Sequence, residues 1–430
     1  MVLIDEQQCM DQTGKIGALL RSARTNAALS WSLLFGVGIF AGNSLVSGDF
    51  LWTGFAMLIL GIAAVPPLFF RRTSVMLPWE VLLLVTLPLV GRLVISGGSA
   101  QLFTSHLSVA ALALLIAVEL HVFTAVRMNE WFAVSFVVII TLATAGLWAV
   151  IQWVADELFG TFFIPNLQTL MLHFTGATVA GIGSALLFTL YFRRITILYQ
   201  RCCPGIRPPY TRAEPTRSLV RFRDRLGISE SHERLIVRFL QMILLGILVV
   251  GSVRGDTSVI VNSALGFGVT QLPALLKRDY GLPMDSGLVL WITAAVVVHA
   301  VGALGPYQSI WLWDKLAHTL SSSVVAAVGY TTVRAVSEYT PDVWIPSRLM
   351  FVFILLFVLA AGVFWEVLEF LAGQLAVVIG SEDVLIQYGL TDTMLDLVFD
   401  TVGGLVVAIW GTAYLTGTVS ELTSWLNERS

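Results

Sequence analysis

The chain has 430 residues, of which 57% are hydrophobic and 12% are charged. About a quarter of the residues of a typical soluble domain are charged, so this composition excludes an ordinary soluble protein and predicts an integral membrane protein. The net charge of −3 says little about partners. We expect membrane lipids and no nucleic acid, and the sequence leaves protein partners open.

Twelve apolar runs are long enough to cross the hydrocarbon core of a bilayer. They cover residues 27–47, 50–70, 76–96, 102–125, 131–154, 168–192, 235–253, 257–276, 286–304, 312–334, 348–378 and 391–416. Backbone groups in lipid need hydrogen-bond partners within their own segment, so each run is predicted to be a helix. The expected fold class is all-α, a polytopic helical membrane bundle of about twelve transmembrane helices.

The basic residues predict the orientation of these spans. The largest loop, 193–234, contains ten Arg against four acidic residues. Loops rich in Arg and Lys stay in the cytoplasm, and further basic residues fall in alternate loops on the same side. Arg254 is the exception. We therefore expect a multi-pass protein of the cell membrane with both termini in the cytoplasm. The first 26 residues have no long apolar core, so no cleaved signal peptide is expected.

The halves on either side of this loop resemble each other in four short matches that occur in the same order. For example, LATAGLWAVIQWVA in the first half corresponds to LAAGVFWEVLEFLA in the second. Six spans per half is an even number, which predicts two repeats of parallel topology. The predicted domains are a six-span repeat at 1–192, a basic cytoplasmic linker at 193–234 and a second six-span repeat at 235–430.

The two halves differ in their acidic residues. Glu366, Glu369 and Asp400 correspond to Ala149, Gln152 and Ala177, and Asp396 corresponds to His173. The first repeat is therefore predicted to be a degenerate, supporting copy, and the second to carry the functional site.

The strongest functional signal is the segment TDTMLDLVFDTVGG, which opens the last span. It holds Asp392, Asp396 and Asp400, each four residues from the next. On a helix such residues lie about 40° apart and form a narrow acidic stripe. A carboxylate in the apolar part of a membrane costs at least ~2.5 kcal/mol, so three on one face point to function.

Two further segments carry ionisable residues within predicted spans. WDKLAH supplies Asp314 and His318, and FWEVLEF supplies Glu366 and Glu369. The predicted topology brings these groups and the acidic stripe to the same depth in the outer leaflet, and His299 reaches a similar level. Three separate spans are therefore expected to meet around one polar chamber.

Carboxylates crowded in a low dielectric either share protons or hold a cation. We predict His318 and Glu366 as catalytic candidates, with either as the general base. The predicted metal ligands are Asp314, Glu369, Asp392, Asp396 and Asp400. Carboxylates with one His suit Mg²⁺, Mn²⁺ or Ca²⁺, with Zn²⁺ as a further choice.

Simpler interpretations of these residues stay open. Asp314 and Lys315 are also typical of charges at a membrane interface, beside the aromatic Trp311 and Trp313. Asp392 could cap the start of its helix. Gly403 and Gly404 are expected to allow close helix packing.

The three segments together resemble a known pattern of membrane proteins. WDKLAHTLSSSVVAA, the acidic FWEVLEF helix and DTMLDLVFDTVGG are similar to the three motifs of VanZ-like proteins, and closer still to the YjdF-like inner-membrane domain. The resemblance covers residues 235–416, and Asp400 stands where the pattern usually has Asn. It implies a fold and a site rather than a reaction, although VanZ-like proteins are associated with lowered glycopeptide susceptibility.

These observations leave three hypotheses for the function. The first is an intramembrane, metal-dependent enzyme that modifies a lipid or a lipid-linked substrate at the outer leaflet. The second is a cation- or proton-coupled transporter, since six-plus-six parallel repeats and intramembrane acids are typical of transporters. The third is a non-catalytic membrane scaffold. The sequence favours the first and does not decide whether the protein is an enzyme.

Overall fold

A computed structural model describes residues 23–94, 99–124, 126–202, 230–282, 285–340, 342–380, 387–411 and 415–428. Throughout these ranges the regular secondary structure is helical, which confirms the predicted all-α fold class. Residues 203–229 of the predicted basic linker lie outside the described residues.

The described residues form fourteen α-helices, numbered here in chain order. Their bounds are α1 (Ala23–Val46), α2 (Phe50–Phe69), α3 (Trp79–Val94), α4 (Ser99–Phe123), α5 (Glu130–Phe159), α6 (Leu167–Cys202), α7 (Glu230–Arg254), α8 (Thr257–Tyr280), α9 (Ser286–Ala303), α10 (Pro306–Ser309), α11 (Trp311–Tyr339), α12 (Ser347–Ile379), α13 (Leu390–Val406) and α14 (Thr416–Glu428). A π-helical turn, Val407–Gly411, continues α13.

Ten segments of the described chain are helical and long and apolar enough to cross a membrane. The other two predicted spans coincide with α3, which has 16 residues, and with α11, which has 29 residues but carries several charges. Many large apolar side chains are exposed along these helices, as at Phe35 (73% exposed) and Val253 (83% exposed), which is expected of helices that face lipid. The protein is therefore a multi-pass membrane protein, while the arrangement as two repeats stays a prediction.

The chain divides into two compact units. The first comprises Met1–Thr141 and Gly176–Tyr210, and the second Leu142–Thr175 and Thr211–Ser430. In the first unit Asn26 fixes the connection between α2 and α3, because its amide donates to Leu77 O at 3.2 Å and accepts from Trp79 N at 2.9 Å.

One part of the hydrophobic core of the second unit lies where α7 packs on α8 and α9. Leu244, Val259 and Val297 lie buried at this junction. Asp256 caps α8 by accepting a hydrogen bond from Val259 N at 3.0 Å. The cap satisfies one of the free N–H groups at the start of α8 and fixes where the helix begins.

Helix α13 packs between α11 and α12 of the second unit, and two glycines make this possible. A Cβ on Gly403 would clash with Ser322 Oγ and Thr319 O of α11, and one on Gly404 would lie 3.2 Å from Val358 of α12. The predicted role of these glycines in close packing is confirmed. The contact places the acidic stripe of α13 directly against α11.

Candidate functional site

The site is a chamber in the second unit, where the starts of α8, α11 and α13 meet the ends of α9 and α12. Its volume is about 160 Å³. Polar side chains dominate its lining, which comprises Asp256, Ser258, Asn262, His299, Ala303, Tyr307, Gln308, Asp314, His318, Glu369, Gln387, Tyr388, Asp392, Thr393 and Asp396. All three predicted segments contribute residues to this lining, whereas Glu366 and Asp400 lie outside it.

Asp314, His318 and Asp396 form a group that could hold a metal ion. One ligand atom from each lies within 4.8 Å of the other two. His318 Nε2 lies 3.8 Å from Asp314 Oδ1 and 3.7 Å from Asp396 Oδ1. Asp314 and His318 share a face of α11 because they are four residues apart, and Asp396 faces them from α13.

Asp400 lies behind His318, one turn deeper along α13. Its Oδ1 is 3.2 Å from His318 Nδ1, the ring nitrogen that faces away from Asp314 and Asp396. In the tautomer that has its proton on Nδ1, His318 would donate a hydrogen bond to Asp400 and leave the Nε2 lone pair free for a ligand. Gly362 of α12 makes room for Asp400, since a Cβ there would lie 2.7 Å from Asp400 Oδ2.

Lys315 lies at the centre of the carboxylates, a position that sequence reasoning missed. Its Nζ donates to Asp314 Oδ2 at 2.6 Å, to Asp392 Oδ1 at 2.8 Å and to Asp396 Oδ1 at 3.1 Å. The side chain is only 2% exposed. Lys315 is therefore a buried counter-ion of three acids rather than an interface charge.

Asp392 lies in the first turn of α13, whose N-cap is Gly389. The alternative interpretation, in which Asp392 is the capping residue, is therefore wrong. Its side chain is 28% exposed and borders the chamber while it accepts from Lys315. A carboxylate near a helix N-terminus is also stabilised by the positive end of the helix dipole.

Glu366 and Glu369 occupy different environments on α12. Glu366 is 2% exposed and its Oε2 accepts from Gln387 Nε2 at 2.8 Å and from Thr393 Oγ1 at 3.1 Å. Glu369 lines the chamber and accepts from Trp365 Nε1 at 2.9 Å. Of the two, Glu369 is the one that a molecule in the chamber would meet.

Two further ring side chains, Tyr307 and His299, line the chamber as a contacting pair, which the sequence did not predict. Tyr307 OH lies 2.6 Å from His299 Nδ1, and both side chains line the chamber. Burial raises the pKa of Tyr307, which lies in the short helix between α9 and α11, so the phenol stays protonated at neutral pH. The position of His299 was expected from its depth, whereas Tyr307 has no sequence signal because it follows no periodic pattern.

The arrangement combines a group that could hold a cation with hydrogen-bonding side chains around a small chamber. Of the predicted metal ligands, Asp314 and Asp396 join His318 in one group, Glu369 and Asp392 border the same chamber, and Asp400 contacts His318. An O,O,N donor set suits Mg²⁺, Mn²⁺, Ca²⁺ or Zn²⁺. Whether these residues act as ligands or catalysts stays a prediction.

The candidate site lies in the part of the chain that matches a known protein family. Residues 236–417 match the family described as predicted membrane protein (DUF2238). This range contains every residue of the candidate site. Residues 14–76 match a domain of unknown function, DUF8268.

An uncharacterised protein of Thermotoga maritima is 32% identical over 121 residues. The match covers 28% of this chain and spans 58% of the length of that protein. No solved structure matches the chain.

Proposed function

We propose that the chamber binds a divalent cation and, with it, modifies a lipid or lipid-linked substrate at the outer leaflet of the cell membrane. The observation that carries the proposal is the group of Asp314, His318 and Asp396, which borders an open chamber and has its histidine oriented by Asp400. Burying carboxylates in a membrane-spanning helix is costly, which favours a functional role for Asp396 and Asp400.

The side chains suggest a division of roles. Asp314, His318 and Asp396 would hold the cation, which when bound supplies electrophilic activation of the substrate. Asp400 would keep His318 in the tautomer that binds. Glu369 faces the chamber and is better placed than Glu366 to accept a proton from a substrate, because Glu366 already accepts from two neighbours.

The position of the basic residues supports an outer-leaflet site with cytoplasmic termini. Lys277 and Arg278 end α8, and Arg334 lies near the end of α11, whereas the chamber is bordered by the starts of these helices. Basic residues mark the cytoplasmic side. The chamber therefore belongs at the opposite, outer surface, where headgroups of the outer leaflet reach it. The resemblance to VanZ-like and YjdF-like membrane proteins stays part of this proposal.

The test is an activity assay of the purified protein on lipids extracted from the producing cells. We expect a product that appears with Mg²⁺ or Mn²⁺ and is lost with EDTA and in Asp396→Asn. Asp279→Asn is the matched control, because Asp279 is an exposed acid at the far end of α8. Identical lipid profiles in a deletion strain and in wild type, with no product in vitro, would contradict the proposal.

One observation favours a cation- or proton-coupled transporter as the second candidate. The described residues that line the chamber include five carboxylates and no Lys or Arg, as expected for a cation path. Flux measurements in proteoliposomes decide between the two. Cation flux that disappears in Asp396→Asn supports transport, and flux no higher than in empty vesicles excludes it.

A further inference from the structure

The inference concerns Lys315 and rests on the proposed cation site. Lys315 shares two acids with the group that could hold a metal ion, since its Nζ lies 2.6 Å from Asp314 Oδ2 and 3.1 Å from Asp396 Oδ1. The same negative charge therefore has to serve both cations. A carboxylate that is fully neutralised by an ammonium attracts a second cation less strongly.

The approach to the acids differs for the two cations. Lys315 is 2% exposed and contacts its acids from the protein side, whereas Asp314, Asp392 and Asp396 border the chamber. A cation that enters the chamber meets the carboxylates before it meets the ammonium. The lysine carries a compact point charge on a flexible stem, unlike the rigid fork of an arginine.

We propose that Lys315 is a tethered competitor, an internal cation that occupies the charge of the site at rest and must yield when a divalent cation binds. Without metal it holds Asp314, Asp392 and Asp396 together through its three contacts, and it weakens metal binding. The wild-type affinity is thereby set low enough for the cation to exchange. If Lys315 only joined α11 to α13, its removal would loosen the site and weaken metal binding.

The experiment measures Mn²⁺ affinity of the full-length protein in detergent by electron paramagnetic resonance, with the Mn²⁺-dependent rise in unfolding temperature as a second readout. We expect Lys315→Met to bind Mn²⁺ at least tenfold more tightly than wild type. Its unfolding temperature should be lower without metal and should rise more when Mn²⁺ is added, because a ligand stabilises the folded state according to its affinity. Lys315→Gln, which removes the charge but keeps polarity, should behave in the same way.

Lys277→Met is the matched control, since Lys277 is an exposed lysine near the end of α8 and should bind like wild type. Suppose that the wild type binds Mn²⁺ and that Asp396→Asn abolishes this binding. If Lys315→Met then binds Mn²⁺ no more tightly than wild type, the competitor role is overturned and the proposed function stands. If neither the wild type nor the two Lys315 variants bind Mn²⁺, the competitor role and the proposed function are both overturned. Failure of both variants to fold even when purified with Mn²⁺ also overturns the competitor role, because a bound cation should then replace the ammonium.

Discussion

At the scale of single residues, the acids of the site divide by partner, since Asp314, Asp392 and Asp396 share Lys315 and the others do not. Asp392 accepts from Lys315, Asp400 faces His318, and Glu366 accepts from Gln387 and Thr393. The acids are therefore not interchangeable, although five of the six are spaced three or four residues from another acid of the site. This difference leads to separate predictions for Asp400 and Glu366.

Replacing Asp400 by Asn should weaken cation binding by about 10–100-fold, the usual effect of losing the carboxylate that orients a ligating histidine. The amide can present a donor to His318 Nδ1 and so favours the wrong tautomer. Titration with Mn²⁺ measures the change. Asp279→Asn serves as the control on the exposed end of α8, and equal affinities in the two variants would contradict the orienting role of Asp400.

Replacing Glu366 by Leu should lower stability but leave cation binding within about threefold of wild type. The buried Thr393 Oγ1 loses its acceptor, and a buried donor without a partner costs about 1–3 kcal/mol. Gln387 Nε2 loses one acceptor but keeps the backbone carbonyl of residue 366 at 3.2 Å. Thermal unfolding and Mn²⁺ titration are measured on the same sample, with the exposed Glu421→Leu as a control. Loss of Mn²⁺ binding at full stability would show that Glu366 is itself a ligand.

At the scale of helices, the site depends on how closely α13 approaches α11 and α12. Gly403 lies against Ser322 and the Thr319 carbonyl, and Gly362 lies against Asp400. Bulkier residues at either position would separate the acidic stripe from His318. Glycine is thus required here by contact rather than by backbone conformation.

Replacing Gly403 by Ala should destabilise the protein by about 1–3 kcal/mol, the usual cost of overpacking. Helix propensity alone would predict the reverse, a gain in stability, because it favours Ala over Gly by about 1 kcal/mol. Gly36→Ala is the matched control, since a Cβ on Gly36 in α1 has nothing within 4 Å. Equal or increased unfolding temperatures in both variants would contradict the packing role.

The sequence predicted the helices well because apolar runs of spanning length form helices in lipid. The predicted span 348–378 became α12 (Ser347–Ile379), and 286–304 became α9 (Ser286–Ala303). The Asp314–His318 spacing likewise predicted a shared face. Apolar runs and four-residue spacings are local in the sequence, and so are the helices that they produce. A single sequence is therefore enough to predict them.

The sequence could not predict partners that meet only through the fold. Lys315 and Asp392 are 77 residues apart, and a lysine beside Asp314 at a helix start is typical of an interface charge. Gln387 and Tyr307 lie in or beside connections with no periodic pattern. The different surroundings of Glu366 and Glu369 also depend on which neighbours each side chain reaches.

At the scale of the whole molecule, the orientation in the membrane is open to a direct test. In a background without Cys9, Cys202 and Cys203, we expect Phe162→Cys to react with a membrane-impermeant maleimide in intact cells. Asp342→Cys should react only after permeabilisation, since the connection between α11 and α12 is predicted to be cytoplasmic. Both side chains are exposed, so access depends on sidedness alone. The reverse labelling pattern would place the chamber on the cytoplasmic side.

The central claim is that Asp314, His318 and Asp396 form one cation site in the chamber. The most direct measurement is an anomalous difference map at the manganese edge, from crystals of the purified protein grown with millimolar Mn²⁺. We predict a peak within about 2.0–2.3 Å of a carboxylate oxygen of Asp314 and of Asp396 and of His318 Nε2. A map with no peak in the chamber, or with the peak elsewhere and the three side chains unchanged, would contradict the claim.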